Sequence, residues 1–83
     1  MTTEQQQMVE FIARRIRKPA SSITESTRLV SSGLVDSLAL ADLLMQLEDL
    51  THMRIPPGMV KPKDLDTVTL MFETAKRVGK LRK

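Results

Sequence analysis

The chain has 83 residues, no Cys, Trp or Tyr, and two Phe, which allows one small domain whose core must come from Leu, Ile, Val and six Met. Without cysteine it has no disulfide framework and no thiol of its own, and a single histidine cannot supply the usual zinc set. Lys and Arg outnumber Asp and Glu by 13 to 10 for a net charge of +3 and a pI near 9.7, a balance that leaves an anionic partner open.

No apolar run is long enough to span a bilayer, and the start MTTEQQQ lacks the basic residues and apolar stretch of a signal peptide. A cytoplasmic protein is expected. The scarcity of β-branched runs points to helices.

A first helix is expected over about residues 4–17. Thr3 with Gln6 three residues on has the capping-box form, and Met8, Val9, Ile12 and Ile16 recur on one face with Phe11 at its edge. Pro19 ends it, because the residue before a proline is pushed out of the α region. Arg14, Arg15, Arg17 and Lys18 crowd the last turn, where cations complement the helix dipole. Residues 18–36 read as a long ordered loop, rich in Ser and Thr, whose Ile23, Leu29, Val30 and Leu34 plug into the helices. A loop of that length is uncommon in a small domain and counts either against the element boundaries or for a functional loop. Gly33 supplies a turn that a Cβ would resist.

The next stretch, residues 33–50, is GLVDSLALADLLMQLEDL, with four acidic and no basic residues. The chain before it carries five basic and three acidic residues, and the chain after it eight and three. A basic protein therefore shows one anionic helix, expected over about residues 37–50. Asp36 is a natural N-cap, which places Ser37 in the first turn, where free N–H groups and the positive end of the dipole favour an anion. Leu40, Leu43, Leu44, Leu47 and Leu50 form a broad apolar surface that Leu38 and Met45 widen. Asp42, Gln46 and Asp49 make a polar stripe with Ala39 at its head and Glu48 at its border.

Asp36-Ser37-Leu38, preceded by Gly33-Leu34 and followed by an apolar helix with acidic spots, resembles the attachment segment of acyl and peptidyl carrier proteins. The resemblance covers nearly the whole chain, and it implies a small all-α four-helix bundle, with three main helices and a short third, as one domain over residues 1–83. It implies that 4′-phosphopantetheine is esterified to the Ser37 hydroxyl and carries an acyl or aminoacyl thioester. It further implies a non-catalytic monomer that is handled by a phosphopantetheinyl transferase, an acyl- or aminoacyl-loading ligase and downstream synthases or transferases. In the family the helix after the serine is the recognition surface. Asp36, Asp42, Glu48 and Asp49 are therefore candidate charge contacts, and Leu38, Ala41 and Met45 candidate apolar ones. Two departures matter: carriers of fatty-acid synthesis are strongly acidic overall, and many have an acidic or polar residue where Ala39 stands. Both point to a specialised, free-standing carrier in fatty-acid, polyketide or related biosynthesis.

Beyond this helix, Arg54-Ile55-Pro56 lies where many carriers have an acidic residue, Ile and Pro. Pro56-Pro57-Gly58 reads as a turn. A single helical turn is expected over about residues 59–63, with Met59 or Val60 closing the core. The last helix is expected over about residues 67–79, begun by Asp66 as N-cap and stopped by Gly79. Val68, Met71, Phe72, Ala75 and Val78 share its inner face. The basic tail 80–83 reads as frayed.

Competing chemistries find little support. His52 follows the far end of the helix that Ser37 begins, roughly 20 Å away at 1.5 Å per residue, so it cannot serve Ser37 as a base. No nucleophile elbow or Gly-rich phosphate loop is present. A basic nucleic-acid-binding module is the first alternative, opposed by dispersed cations and the lack of aromatics for stacking. An unmodified helical interaction module is the second.

Overall fold

The computed structural model describes residues 1–81. Three α-helices, α1 (Thr3–Ile16), α2 (Ser37–Thr51) and α3 (Val68–Val78), surround one buried cluster of aliphatic and methionine side chains. Single 3-10 turns form at Ala20–Ser22, Pro57–Met59 and Pro62–Leu65, and two-residue strands β1 (Met53–Arg54) and β2 (Lys80–Leu81) pair antiparallel. The expected bundle of three main helices is present, and the small β-ladder is an addition to it.

Helix α1 begins one residue earlier than expected. Thr2, rather than Thr3, is the cap: its hydroxyl accepts from Gln5 N–H at 3.1 Å, and the Gln5 side chain accepts from Thr2 N–H at 2.9 Å. Both registers satisfy the sequence pattern. The Thr2 register buries Met8, Val9, Ile12 and Ala13 together. The helix ends at Ile16 because Arg17 turns left-handed (φ 59°), and Lys18 N–H then closes on Ala13 C=O at 2.9 Å. Pro19 therefore lies beyond a stop already made.

The long loop is ordered by its own plugs and by one carboxylate. Ile23, Leu29 and Val35 are buried, while Val30 and Leu34 are half-buried. Asp66, expected to cap α3, instead reaches across to the loop. Its Oδ1 accepts from Leu29, Val30 and Ser31 N–H (3.2, 2.8 and 2.9 Å), and its Oδ2 from Ser31 Oγ (2.9 Å) and Arg28 Nη1 (3.2 Å). The Ser31 amide, foremost, together with the Ser31 hydroxyl, Val30 amide and Arg28, outweighs the cost of burial and holds this carboxyl well below the usual carboxylate range. The α3 cap is Thr67, whose hydroxyl accepts from Leu70 N–H at 3.0 Å. Two adjacent residues of good capping type compete here, and the tertiary demand of the loop amides takes the stronger acceptor. Thr69 N–H donates to Glu25 C=O and Leu29 N–H to Asp66 C=O, completing the seam between loop and α3.

The expected helical turn at 59–63 is replaced by two shorter ones. Pro57 and Pro62 each start a 3-10 turn, because a proline is tolerated where no N–H is needed; Val60 and Lys61 are extended between them. Of the two residues expected to close the core, Val60 packs half-buried against it and Met59 is exposed, while Ile55 is buried within it. At the other end Gly79 stops α3 in an extended conformation (φ −73°), not a left-handed one. A Cβ there would overlap Ala75 C=O and sit 2.9 Å from Met53 Sδ. This close passage lets Lys80–Leu81 pair with Met53–Arg54, so the tail is docked where fraying was expected; Arg82 and Lys83 lie outside the described residues.

Candidate functional site

The approach to α2 is built from the loop. Gly33, at φ +81°, turns the chain after the Asp66-anchored segment, and its N–H closes on Val30 C=O. Val35 then plugs the core, with its N–H on Leu29 C=O at 3.0 Å. Asp36 caps α2 as expected: its Oδ1 accepts from Ala39 N–H at 2.8 Å. The first helical bond runs from Leu40 N–H to Asp36 C=O, so the amides of Ser37 and Leu38 precede the helical ladder. Ser37, the first residue of α2, is exposed, and its hydroxyl carries no hydrogen bond to a described residue.

Leu38, Ala41, Asp42, Met45 and Asp49 fall at helical spacings of three and four on one exposed stripe of α2, and Glu48 borders it half-buried. Leu38 is 76% exposed and Met45 62%, unusual values for large apolar side chains in so small a domain. They widen the apolar circumference as expected but face outward, while Leu43 and Leu47 enter the core with Leu40, Leu44 and Leu50 half-buried. Ala39 does not head the polar stripe. It is buried, because its position shares the inner face with Leu43 and Leu47.

The carboxylates are not equivalent. Asp42 pairs with Arg15 of α1, Oδ2 to Nε at 3.1 Å, with both side chains about half exposed. Glu48 is half-buried and turned inward to accept from Ile55 N–H at 2.8 Å, where it caps the strand that leaves α2. Asp36 is committed to the helix cap. Sequence reasoning missed the Arg15 partner because 27 residues separate the pair and only the packing of α1 against α2 brings them together. His52, in left-handed conformation (φ 56°), ends α2 by donating its N–H to Glu48 C=O, at the end opposite Ser37. Beside the stripe lies an apolar groove of about 380 Å³, lined by Leu40, Ala41, Leu44 and Met45 of α2 and by Pro57, Val60, Pro62 and Leu65. Among the described residues no group of three His, Cys, Asp or Glu could hold a metal ion, and no helix is long and apolar enough to cross a membrane.

Ser37 is thus an exposed serine at the capped start of a helix, at the end of an ordered loop and with the exposed Leu38 and Met45 behind it. The chain matches the phosphopantetheine attachment site family over residues 6–71. It belongs to that family, the acyl and peptidyl carrier proteins, whose domain is the site of covalent 4′-phosphopantetheine attachment. No curated protein and no solved structure matches it.

Proposed function

We propose that Ser37 bears the 4′-phosphopantetheine and that the chain delivers an acyl or aminoacyl thioester to the enzymes of a specialised fatty-acid, polyketide or related pathway in the cytoplasm. The observation that carries the reading is the state of Ser37: exposed, unencumbered and first in α2 behind the Asp36 cap. The residues fit the group. The Ser37 and Leu38 amides and the positive end of the 15-residue α2 would hold a phosphodiester on this oxygen. The group would supply a terminal thiol, which this chain lacks. The protein's own part is to orient the anchoring oxygen, to offer Leu38, Ala41 and Met45 as an apolar footing for a partner, and to keep a groove of aliphatic character beside it. Asp36 is engaged in the helix cap and His52 lies at the opposite end of α2, and we take the chain as a substrate for a transferase, a loading ligase and later synthases rather than as a catalyst. Tethering raises the cargo's effective concentration at each of these enzymes.

Incubation with a phosphopantetheinyl transferase and coenzyme A tests this. Intact-mass analysis is expected to show one phosphopantetheinyl group gained by the wild type and none by Ser37→Ala, with identical circular dichroism. An unmodified wild type would leave the chain as a helical interaction module. Salt-sensitive DNA binding without the mass gain would favour the nucleic-acid reading.

A further inference from the structure

The end of the molecule that presents Ser37 is bordered by cations on its α1 side. Helices α1 and α2 run antiparallel: Thr2, Glu4 and Gln5 share a cavity with Leu50, Thr51 and His52, while Arg15 meets Asp42. Asp42 lies five residues into α2, about 7.5 Å along the axis from Ser37 at 1.5 Å per residue. Arg15 is the last but one residue of α1, so the end of α1, with Arg14 and with Arg17 and Lys18 in the turn that closes it, lies toward the end of the bundle where α2 begins. Arg14, Arg17 and Lys18 are exposed and none forms an ion pair with a described residue. Arg14 and Lys18 line one shallow cavity with Ala13, Ala20 and Glu10, the only carboxylate in it.

We propose that this cationic border selects the partner. On the carrier reading of Ser37, an enzyme that fits presents carboxylates toward the end of α1 beside the surface it lays on α2, and Arg15 is a specificity-determining residue because it occupies Asp42. A partner with an unbroken basic face is disfavoured twice. It meets the cations Arg14, Arg17 and Lys18, unpaired among the described residues, and it must displace Arg15 to reach Asp42. The observations favour a protein over an anionic membrane. The cluster lies at the end of the bundle where α2 and its serine begin, and residues 14–18 offer no exposed apolar side chain to enter a bilayer, Ile16 being half-buried against the core.

The test uses the full-length apo protein, coenzyme A and a transferase whose carrier-docking surface is basic, and reads KM and kcat for modification of Ser37. Arg15→Gln is expected to lower KM about threefold at low ionic strength with kcat unchanged, and Arg14→Gln with Lys18→Gln about twofold. Both gains should vanish near 0.5 M salt, where screening is nearly complete (about 4 Å). Adding Asp42→Asn to Arg15→Gln should remove that variant's gain, and thermal melting of each variant should stay close to wild type. Equal KM values across the series, or a KM raised by Arg15→Gln, would overturn the proposal while Ser37 labelling still upheld the carrier reading. No labelling of any form would sink both. Binding to phosphatidylglycerol vesicles that is lost in the Arg14/Lys18 variant while KM is unmoved would assign the cluster to a lipid surface and also overturn it.

Discussion

Replacing Asp66 tests how the loop before Ser37 is held. In Asp66→Ala the Val30 and Ser31 amides and the Ser31 hydroxyl lose this acceptor, while the amide of the fully buried Leu29 keeps the Asp66 backbone C=O at 2.7 Å. Leaving a buried donor unsatisfied costs about 1–3 kcal/mol. The three donors are part-buried and Arg28, 70% exposed, is simply rehydrated, so we take about 3 kcal/mol in all. A domain of this size has roughly 4–12 kcal/mol in all, so the variant retains little margin. At 4–8 °C per kcal/mol its Tm should fall by about 12–24 °C. Asp66→Asn keeps one oxygen for the amides and loses the charge, so about 1–2 kcal/mol is expected. The sign with pH follows from a folded-state pKa held low. The carboxylate's contribution is complete above the unfolded value near 3.8. It declines as the unfolded chain takes up its proton below that, and is lost once pH falls through the folded value. Urea melts followed by circular dichroism should thus show wild type more stable than Asp66→Asn by a constant amount from pH 7 to about pH 5, and by a shrinking amount from there to about pH 2. A gap that holds steady down to pH 2, or an Asp66→Ala variant with wild-type stability, would refute the claim that this carboxylate anchors the loop as an ion.

Three further outcomes are expected. Asp36→Ala removes the α2 cap and should cost about 1 kcal/mol in urea melts; because the cap also fixes the orientation of Ser37, transferase kcat/KM should fall more than stability alone explains. Gly79→Ala should release β2, since the added methyl meets Ala75 C=O and Met53 Sδ. Amide exchange should quicken at Lys80 and Leu81, with a loss of about 1–2 kcal/mol by the usual cost of overpacking. Leu38→Asp and Met45→Ser, at exposed positions, should leave Tm within a few degrees of wild type while raising the KM of the transferase; unchanged KM values would remove these residues from the docking surface.

Much of the site was legible from local pattern. A Gly, an Asp and a Ser before a leucine-rich helix, with all local charge of one sign, located the turn, the cap and the exposed hydroxyl. These depend on spacings within a few residues. The inner faces of α1 and α3 were read from periodicity for the same reason. The errors fell where two nearby residues could play one part. Thr2 and Thr3 both begin a capping box, Asp66 and Thr67 both cap, and Pro57 and Pro62 both open a turn.

What the sequence determined by itself is the set of helices and the serine at the head of α2, because caps, breakers and 3.6-residue periodicity act through neighbours along the chain. Only the tertiary structure decided how the polar groups were shared out. Asp66 went to the loop, Glu48 to the Ile55 amide and Asp42 to Arg15, and Gly79 let the tail cross Met53. A buried amide takes the best acceptor that packing brings within 3 Å or so, and that contest is settled between segments far apart in sequence.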